Sequence, residues 1–365
     1  MTLATVAGKV RDGEPLSFAD GLTLFAHPSL AEVGRLANQV RERLHGDRAY
    51  FNRNLHINPT NVCVSACKLC AFSRRQASEA GAYVLSIEQA VDKLKARLGA
   101  GERVAEVHVV GGLNAELPFD YFTGLVAALK AAAPGITVKG FSAVEIFFFH
   151  RRYGMTIAEV LRRLREVGLD SLPGGGAEIF APRVRQAICP NKCDAEEWLE
   201  VHRTAHRLGM KSNATMLFGT VETLAERVDH LLRLRDLQAE TGGFLAFVPL
   251  PFHPENNALG ELAAPTAAEA LRTIAVARLL LGNFPHLKAY WVSLGLDTAQ
   301  TALWYGADDL DGTVTEEKIY HEAGSRAPRA LRPADLARLI RAAGRVPVER
   351  DTFYRLAAAP AAGEA

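Results

Sequence analysis

The sequence lacks long apolar runs, an excess of charge of either sign and a recognisable leader. No stretch reaches the roughly 18 uninterrupted apolar residues typical of a membrane-spanning helix. Lysine and arginine number 42 against 41 aspartates and glutamates, which gives neither a basic field for nucleic acid nor an acidic tail. The opening residues MTLATVAGKV do not show the basic-then-apolar order of a secretion signal. We therefore expect a cytoplasmic protein that binds neither membranes nor nucleic acid.

Cysteine is also scarce, with five residues in a chain of 365. In a reducing compartment cysteines serve as metal ligands or free thiols rather than as disulfides. Cys63, Cys67 and Cys70 form a Cys-x3-Cys-x2-Cys loop. Cys189 and Cys193 precede a predicted helix, with no further cysteines to complete a second site, so we interpret them as a small buried residue and a loop residue.

Apolar, β-rich segments alternate with segments of helical periodicity. Strands are predicted over residues 55–57, 105–110, 137–141, 169–172, 212–216, 244–249, 287–292 and 307–310, and helices over 86–98, 119–132, 156–167, 195–208, 221–240 and 266–281. The alternation predicts an α/β protein built as a (β/α)8 TIM-type barrel, either closed or open with six or seven strands. We expect residues 1–50 to form an N-terminal helical cap, 51–332 the barrel, and 333–365 a C-terminal helix and tail. His202 and His206, four apart on a predicted helix, are assigned to its outer surface.

The three-cysteine loop follows the first predicted strand. Thiolates are the preferred ligands of iron–sulfur clusters. Three of them hold three irons of a [4Fe–4S] cubane and leave the fourth open, and the amino and carboxylate groups of S-adenosylmethionine can chelate that open iron. A structural zinc site is the alternative, but it usually takes four ligands in paired Cys-x2-Cys clusters. The loop therefore predicts a [4Fe–4S] cluster.

A Cys-x3-Cys-x2-Cys loop after the first strand resembles the radical S-adenosylmethionine (SAM) superfamily, and the resemblance covers most of the chain. It implies that SAM is cleaved to methionine and a 5′-deoxyadenosyl radical. The residue before the third cysteine is commonly aromatic in that superfamily, but here it is Leu69. We expect Phe72 to supply the packing on the adenine side.

Three further motifs follow predicted strands, where the ligands of barrels bind. Gly111 and Gly112 resemble the Gly-Gly motif whose backbone meets the methionine ammonium group, and a plain tight turn is the alternative. Ser142 and Glu145 place a carboxylate for the ribose hydroxyls, or form a capping box at a helix start. Glu178 follows three glycines and is expected to face the nucleoside or the substrate, unless those glycines form only a flexible loop.

Longer segments narrow the resemblance. Residues 56–63 (HINPTNVC), 172–178 (LPGGGAE) and 212–219 (SNATMLFG) resemble the radical enzymes of the futalosine pathway and their deazaflavin-forming relatives. Residues 247–256 (FVPLPFHPEN) and 308–321 (DDLDGTVTEEKIYH) resemble the aminofutalosine synthase family, whereas the dehypoxanthine futalosine cyclases have different text at both places.

The resemblance implies a transferase of menaquinone biosynthesis. The adenosyl radical adds to the enol-ether double bond of 3-[(1-carboxyvinyl)oxy]benzoate, and the adduct attacks the ring, rearranges and loses one carboxylate as carbon dioxide or bicarbonate. The electron then returns to the cluster. The products are 6-amino-6-deoxyfutalosine and methionine, so SAM is a consumed co-substrate. A low-potential flavodoxin or ferredoxin is the expected electron donor.

The two carboxylates of this substrate require hydrogen-bond donors in the pocket. The candidate substrate-binding residues lie near the cysteine loop, after the sixth predicted strand, or in the last segment that carries the resemblance: they are His56, Asn58, Asn61, His253, Asn256, Thr313 and His321. A structural hydrogen bond is the alternative role for each. No catalytic residue is assigned beyond the cluster ligands.

Two other functions stay open at this point. A cyclase or deazaflavin-type synthase abstracts hydrogen with the adenosyl radical and therefore releases 5′-deoxyadenosine. A non-catalytic iron–sulfur protein has no need of an adenosyl pocket, which argues against it because glycine motifs follow several strands.

Overall fold

The computed structural model describes residues 2–356 and shows an α/β fold. The strands are β1 (Arg48–Asn52), β2 (Asn54–Ile57), β3 (Glu106–Val109), β4 (Thr137–Gly140), β5 (Ser171–Leu172), β6 (Lys211–Phe218), β7 (Phe244–Pro251), β8 (His286–Leu287), β9 (Asp309–Gly312) and β10 (Val346–Glu349). The helices are α1 (Leu3–Asp12), α2 (Phe18–Ala26), α3 (Leu30–His45), α4 (Ile87–Gly99), α5 (Phe119–Ala132), α6 (Ala143–Tyr153), α7 (Ile157–Glu166), α8 (Pro182–Ile188), α9 (Ala195–Arg207), α10 (Leu224–Thr241), α11 (Ala267–Leu280), α12 (Trp291–Leu294), α13 (Leu296–Ala302), α14 (Ile319–Glu322) and α15 (Pro333–Ala342).

Seven parallel strands, β2 to β8, lie side by side in chain order and form an incompletely closed TIM-type barrel. Single bridges from Lys288 to Asp309 and from Leu55 to Thr315 bring the β9 region against both ends of this sheet. The predicted barrel is therefore confirmed in its open, seven-stranded form.

The first barrel strands carry polar and apolar side chains in alternation. In β2 the outward residues Leu55 and Ile57 are fully buried, while His56 between them points into the barrel and lines its cavity. In β3 Val107 is fully buried on the outer side and His108 faces the cavity. The apolar residues thus hold the helices against the sheet, and the polar residues make the interior a binding site rather than a packed core.

A second, smaller sheet has three strands. Its strand order is β10-β1-β9, and all its pairings are parallel, with Arg48 opposite Val346 and Tyr50 opposite Asp309. The segment predicted as the eighth barrel strand therefore belongs mainly to this sheet. Strand β1 also spans residue 50, where the helical cap was expected to give way to the barrel.

The predicted strand over 287–292 is wrong beyond Leu287, because the chain turns into helix α12 at Trp291. Tyr290, Trp291 and Val292 are buried, and the Trp291 indole donates to the Gly312 carbonyl at 2.8 Å. A short apolar run looks the same in a buried strand and in a buried helix, so its periodicity does not distinguish them.

Most helix starts carry the side-chain caps that the sequence indicates. Ser86, Thr156 and Asp194 each accept a hydrogen bond from the backbone three residues on, as part of a capping box. The predicted helices omit α6, although Ser142 caps it in the same way. The assignment of His202 and His206 to the outer surface is wrong, because both side chains are buried. Their rings lie against the sheet and hydrogen-bond the Ser212 hydroxyl at 2.8 Å.

Helices α2 and α3 pack on α10 and α11 along the outside of the barrel, as expected for an N-terminal cap. Helix α15 is followed by β10 rather than by a free tail, and residues 357–365 of the predicted tail lie outside the described part of the chain. The division into cap, barrel and C-terminal helix stays a prediction. None of the described helices combines the length and the hydropathy that crossing a membrane requires.

Candidate active site

A cavity of about 310 Å³ opens where the barrel strands end. It brings together most of the residues singled out from the sequence: His56, Asn58, Cys63, Cys67, Cys70, Phe72, Gly111, Gly112, Ser142, Glu145, Glu178 and His253. Asn61, Asn256, Thr313 and His321 do not line it. Ligands of parallel barrels bind at this end of the strands, so the cavity is the candidate active site.

Backbone hydrogen bonds hold the cysteine loop against its neighbours. The amide of Cys63 donates to the Arg74 carbonyl at 2.8 Å, and that of Val64 donates to the Leu113 carbonyl at 3.0 Å. Burial raises the pKa of the Cys63 and Cys67 thiols. A metal that binds here therefore has to displace protons from the thiols it coordinates.

The three cysteine sulfurs are spread more widely than one zinc ion requires. Within residues 2–356, three potential ligand atoms come within 4.8 Å of one another only at His45, His286 and Asp308, away from the cysteine loop. Tetrahedral zinc with Zn–S bonds of about 2.3 Å brings its sulfurs to about 3.8 Å apart. The three sulfurs, as placed, are therefore not gathered around a single zinc-sized centre.

The two glycines after β3 are explained by contact with the cysteine loop. A Cβ atom on Gly112 would lie 2.2 Å from the Val62 carbonyl oxygen, and one on Gly111 would lie 3.0 Å from the Thr60 carbonyl oxygen. The Gly112 amide also donates to Thr60 at 2.7 Å. The glycines were expected to let a ligand approach the backbone closely. In the structure, the Thr60 and Val62 backbone makes this close approach, and the contact holds the loop that carries Cys63 in place.

Ser142 and Glu145 form the capping box of α6. One oxygen of Glu145 accepts from the Ser142 amide and hydroxyl at 2.7 Å each, and the other accepts from the Gly111 amide at 3.0 Å. Burial outweighs these hydrogen bonds and raises the pKa of Glu145 to about 7. The predicted capping box is therefore present, and it lies on the cavity wall. Its carboxyl group changes charge near neutral pH.

Glu178 forms an ion pair with Lys192, which also lines the cavity. Burial opposes the charge on Lys192, but the carboxylate beside it outweighs burial and raises the pKa of Lys192 well above its usual value. Lys192 was not singled out from the sequence; its signal was its place between Cys189 and Cys193. Those two cysteines are both buried.

The glycine run before Glu178 packs against β6. A Cβ atom on Gly174 would lie 2.7 Å from the Ala214 Cα, and the Gly174 carbonyl accepts from the Thr215 hydroxyl at 2.6 Å. The run is therefore a close-packed turn of the cavity wall. Phe72, on the opposite wall, is buried and meets the Tyr83 ring edge-on at 6.3 Å.

Polar residues in the strands form the floor of the cavity. His56, His108 and Lys139 are consecutive partners in the register of β2, β3 and β4, so their side chains point the same way. The His56 and His108 rings are stacked, with centroids 4.6 Å apart and planes at 3°. Lys288, from the end of β8, reaches the same floor and pairs with Asp311 at 2.6 Å.

Sequence reasoning missed His108, Lys139 and Lys288. A signal was present, because Glu106 and His108 stand at alternate positions of one predicted strand, and Thr137 and Lys139 do so in the next. Polar residues at alternate positions of a barrel strand indicate an interior that binds a ligand.

Among the predicted substrate contacts, Asn58 and His253 keep their places at the cavity. Asn58 donates to the Val110 carbonyl at 2.8 Å, and its own side-chain oxygen is buried without a hydrogen-bond partner in the described chain. His253 uses Nε2 for the Ser293 carbonyl at 2.8 Å and meets the Tyr320 ring edge-on.

The structure places the other four candidates in structural hydrogen bonds outside the cavity. Asn61 donates to the Gly81 carbonyl at 2.9 Å and accepts from the Tyr83 amide at 2.9 Å, which pins the cysteine loop. Asn256 donates to the Glu322 carbonyl at 2.9 Å.

The remaining two of these residues lie in the segment after β9. Thr313 exchanges hydrogen bonds with the Asn54 backbone at 2.9 and 3.0 Å. His321 bonds Glu317 at 2.9 Å, and this contact raises its pKa. The chain itself hydrogen-bonds the side chains of all four residues, and their contact with substrate carboxylates stays a prediction.

The chain matches two family models. The first, the radical SAM superfamily, matches residues 57–234, and the second, the CofH/MqnC C-terminal region, matches residues 241–363. The chain is 48% identical to aminodeoxyfutalosine synthase of Thermus thermophilus, over 97% of this chain and 95% of the relative. It is 45% identical to aminodeoxyfutalosine synthase of Streptomyces coelicolor, over 95% and 92%.

A relative with a different name is also similar. The 5-amino-6-(D-ribitylamino)uracil–L-tyrosine 4-hydroxyphenyl transferase 1 of Methanosarcina acetivorans is 40% identical, over 92% of this chain and 89% of the relative. Among solved structures, methylornithine synthase superposes with a TM-score of 0.75 at 20% identity, covering 94% of this chain and 97% of that one. The [FeFe]-hydrogenase maturase HydG also gives 0.75, at 16% identity, over 94% and 75%.

The solved structures show similarity of fold, whereas the sequence relatives identify the family. The similarity to these relatives extends over nearly the full length of the chain. Together with both family models, it identifies the class of enzyme. Membership implies a [4Fe–4S] cluster and SAM, and the donor set of the cysteine loop fits such a cluster. The chain is a radical SAM enzyme and belongs to the branch of the superfamily that carries the CofH/MqnC C-terminal region.

Proposed function

We propose that this enzyme is an aminofutalosine synthase, which joins the adenosyl group of SAM to 3-[(1-carboxyvinyl)oxy]benzoate. The observation that carries the proposal is the 48% identity, along 97% of the chain, to a relative named aminodeoxyfutalosine synthase. The cavity is compatible with it, because one opening holds both the cysteine loop and a polar floor suited to a charged substrate.

In the proposed reaction, C5′ of the adenosyl group bonds to the enol-ether methylene carbon. The aryl–oxygen bond is replaced by an aryl–carbon bond, the ether oxygen becomes a ketone, and the vinyl carboxylate leaves as carbon dioxide or bicarbonate. The electron used to cleave SAM is recovered, so the reaction is redox-neutral. The products are 6-amino-6-deoxyfutalosine and methionine.

Cys63, Cys67 and Cys70 are proposed to hold the cluster. When bound, a [4Fe–4S] cluster supplies the electron that cleaves SAM. The Glu178–Lys192 pair offers one charge of each sign, which complements the ammonium and carboxylate groups of the methionine part. This pair therefore suits a zwitterion better than either residue would alone.

Five further residues are proposed to bind SAM. Ser142 and Glu145 present oxygen atoms for the ribose, Gly111 and Gly112 present backbone for the methionine ammonium group, and the Phe72 ring packs on the adenine side. A low-potential flavodoxin or ferredoxin is the proposed reductant.

A second candidate function rests on the 40% identity to a transferase named for L-tyrosine and 5-amino-6-(D-ribitylamino)uracil. A cyclase that abstracts hydrogen is a further alternative within the same branch. Both differ from the synthase in their products, because an enzyme that adds the adenosyl group retains it in the product.

The test is a product analysis of the anaerobically reconstituted enzyme with a reductant, SAM and the enol ether. We expect an adduct with the mass of aminofutalosine, which is lost in Cys67→Ala. Cys189→Ala is the matched control, since Cys189 is a buried thiol next to the site that we leave outside the cluster, and it should retain the adduct.

Two outcomes would overturn the proposal. Release of 5′-deoxyadenosine with unchanged enol ether would favour the cyclase. Coupling of tyrosine to the ribityl uracil, with no reaction of the enol ether, would favour the transferase.

A further inference from the structure

The stacked pair His56 and His108 on the cavity floor is a group of side chains with unused hydrogen-bonding capacity. Nε2 of His56 is buried and has no hydrogen-bond partner in the described chain. The His108 side chain is 23% exposed, and its Nδ1 lies 4.0 Å from the Glu106 carboxylate, beyond hydrogen-bond distance. An unpartnered buried polar atom is costly, so Nε2 of His56 points to a ligand that completes it, and His108 faces the same cavity.

The charged residues around the pair are already committed to one another. Lys139 donates to Glu106 at 2.7 Å, and Lys288 donates to Asp311 at 2.6 Å. Although burial opposes its charge, the lysines hold the pKa of Glu106 at about 2, so that carboxylate stays ionised and neutralises its partner. The charges of the floor are therefore largely balanced, and the histidines add neutral donors beside them.

Burial lowers the pKa of both histidines, which leaves neutral rings with one N–H donor each. An acceptor group of the ligand suits such donors, and the nearby lysines favour an acceptor with negative charge. Above the floor, Val110, Val248 and Leu250 line the cavity with apolar surface. The ligand that fits this arrangement is an aromatic ring with a carboxylate at its far end.

Resting on the proposed function, we propose that the His56–His108 pair binds the ring carboxylate of the substrate, the one that the product keeps. The pair lies within β2 and β3, deeper in the barrel than the residues beyond the strand ends that form the cysteine loop. Each strand residue advances about 3.3 Å, so the floor is the place for the end of the substrate remote from the reacting carbon.

The leaving carboxylate is the less suitable occupant of this floor. It is attached to the carbon next to the methylene that bonds to C5′, so it has to lie near the mouth. Strong binding of a carboxylate also opposes its departure as carbon dioxide, whereas binding the retained one only positions the substrate. His56 and His108 are thus assigned as specificity determinants for an acidic aryl group.

The test compares the wild-type enzyme with His108→Phe on each of two substrates. The substrates are 3-[(1-carboxyvinyl)oxy]benzoate and 2-phenoxyacrylate, which lacks the ring carboxylate. His108→Phe keeps a stacking ring and removes the N–H, so kcat/KM for the benzoate should fall about 10- to 100-fold, the value of a hydrogen bond to a charged group, mainly through KM. For 2-phenoxyacrylate it should change less than about threefold.

Rescue and control variants separate binding from a structural effect. His108→Gln restores an N–H donor and should recover part of the preference for the benzoate. His27→Gln lies in the helical cap and should leave the preference unchanged. Thermal unfolding and SAM binding of each variant show whether the fold is retained.

An equal loss on both substrates in His108→Phe, with the fold retained, would overturn the inference. If the wild type gives no adduct with either substrate, the proposed function fails instead, and the two failures are thereby distinguished. Direct binding of 3-methoxybenzoate to the reconstituted enzyme then still tests the pair, since it carries the ring carboxylate alone. Binding that His108→Phe leaves unchanged would also overturn the inference.

Discussion

Two buried polar sites in this barrel, the Asp308 carboxylate and the pair His56 and Asn58, differ in how completely their side-chain atoms are hydrogen-bonded. At the amino ends of β8 and β9, Asp308 accepts from Arg278, from the Leu287 amide at 2.8 Å and from His286 at 2.6 Å. At the opposite end, His56 and Asn58 each keep a buried polar atom without a partner in the described chain. Burial with full pairing supports a scaffold, while burial without it leaves capacity for a ligand.

The comparison also explains why the compact group of His45, His286 and Asp308 is not assigned as a metal site. Its aspartate is already paired with the buried Arg278, and the His45 Nε2 contacts the Pro285 carbonyl at 3.0 Å. A divalent cation here would have to displace these partners and stand beside a guanidinium. Proximity of potential ligands is thus a weaker criterion than the state of their hydrogen bonds.

The largest expected effect is on stability and comes from Asp308→Asn. It leaves Arg278 buried with no charge partner, so the free energy of unfolding should fall by about 3–5 kcal/mol. Partners hold the Asp308 pKa below its usual value, so its contribution is present above about pH 3.8 and is lost as the pH falls. Urea unfolding at pH 7 measures the loss.

Asp12→Asn is the control for this change, because Asp12 pairs with Arg11 on the exposed surface. It should cost about 0–1 kcal/mol. Equal losses in the two variants would show that the ion pair of Asp308 with Arg278 does not stabilise the fold as described.

A smaller effect, on cluster content, is expected for Gly112→Ala. The added Cβ would meet the Val62 carbonyl at 2.2 Å, so the loop before Cys63 has to move, at about 1–3 kcal/mol. Iron and sulfide per chain after reconstitution should fall several-fold while the melting temperature changes little. Gly135→Ala has open space at its Cβ and should load normally; full loading of both variants would contradict the coupling.

The smallest effect concerns the pH dependence of SAM binding. Burial raises the Glu145 pKa to about 7, so the ionised fraction rises about tenfold from pH 6 to pH 8. An ionised carboxylate accepts better from ribose hydroxyls, so SAM should bind up to about tenfold more tightly across that range, as measured by calorimetry. Glu145→Gln should lose this slope.

Glu159 provides a control within the same motif, because Thr156 and Glu159 form an exposed capping box with the same contacts. Its pKa is lowered, since the hydrogen bonds from Thr156 outweigh the small effect of burial at this exposed site. Glu159→Gln should keep the wild-type slope. A slope that survives in Glu145→Gln would remove this carboxyl group from the SAM site.

Much of the fold followed from local signals in the sequence. Strand and helix alternation predicted the barrel, and caps such as Ser86 marked helix starts within a residue. The short β8 and the second sheet were not predictable, because pairing of Arg48 with Val346 depends on contacts remote in sequence. Local periodicity carries no information on such partners.

The candidate site divides in a similar way. The cysteine loop and the residues after β3, β4 and β5 were found because they share short motifs and strand ends. The floor was missed because His108 and Lys139 acquire their role only from strand register. Asn61 and Thr313 were chosen as donors, but the chain uses both in its own hydrogen bonds, which composition does not reveal.

The small sheet also sets an order of events during synthesis. Strand β1 leaves the ribosome before the barrel, yet its partners β9 and β10 are translated only after it. A nascent chain therefore carries the apolar stretch Ala49–Phe51, buried in the finished protein, without its strand partners while the cysteine loop is already exposed. Unpaired strands are prone to aggregate, so this early segment stays open to wrong pairing until translation reaches β10.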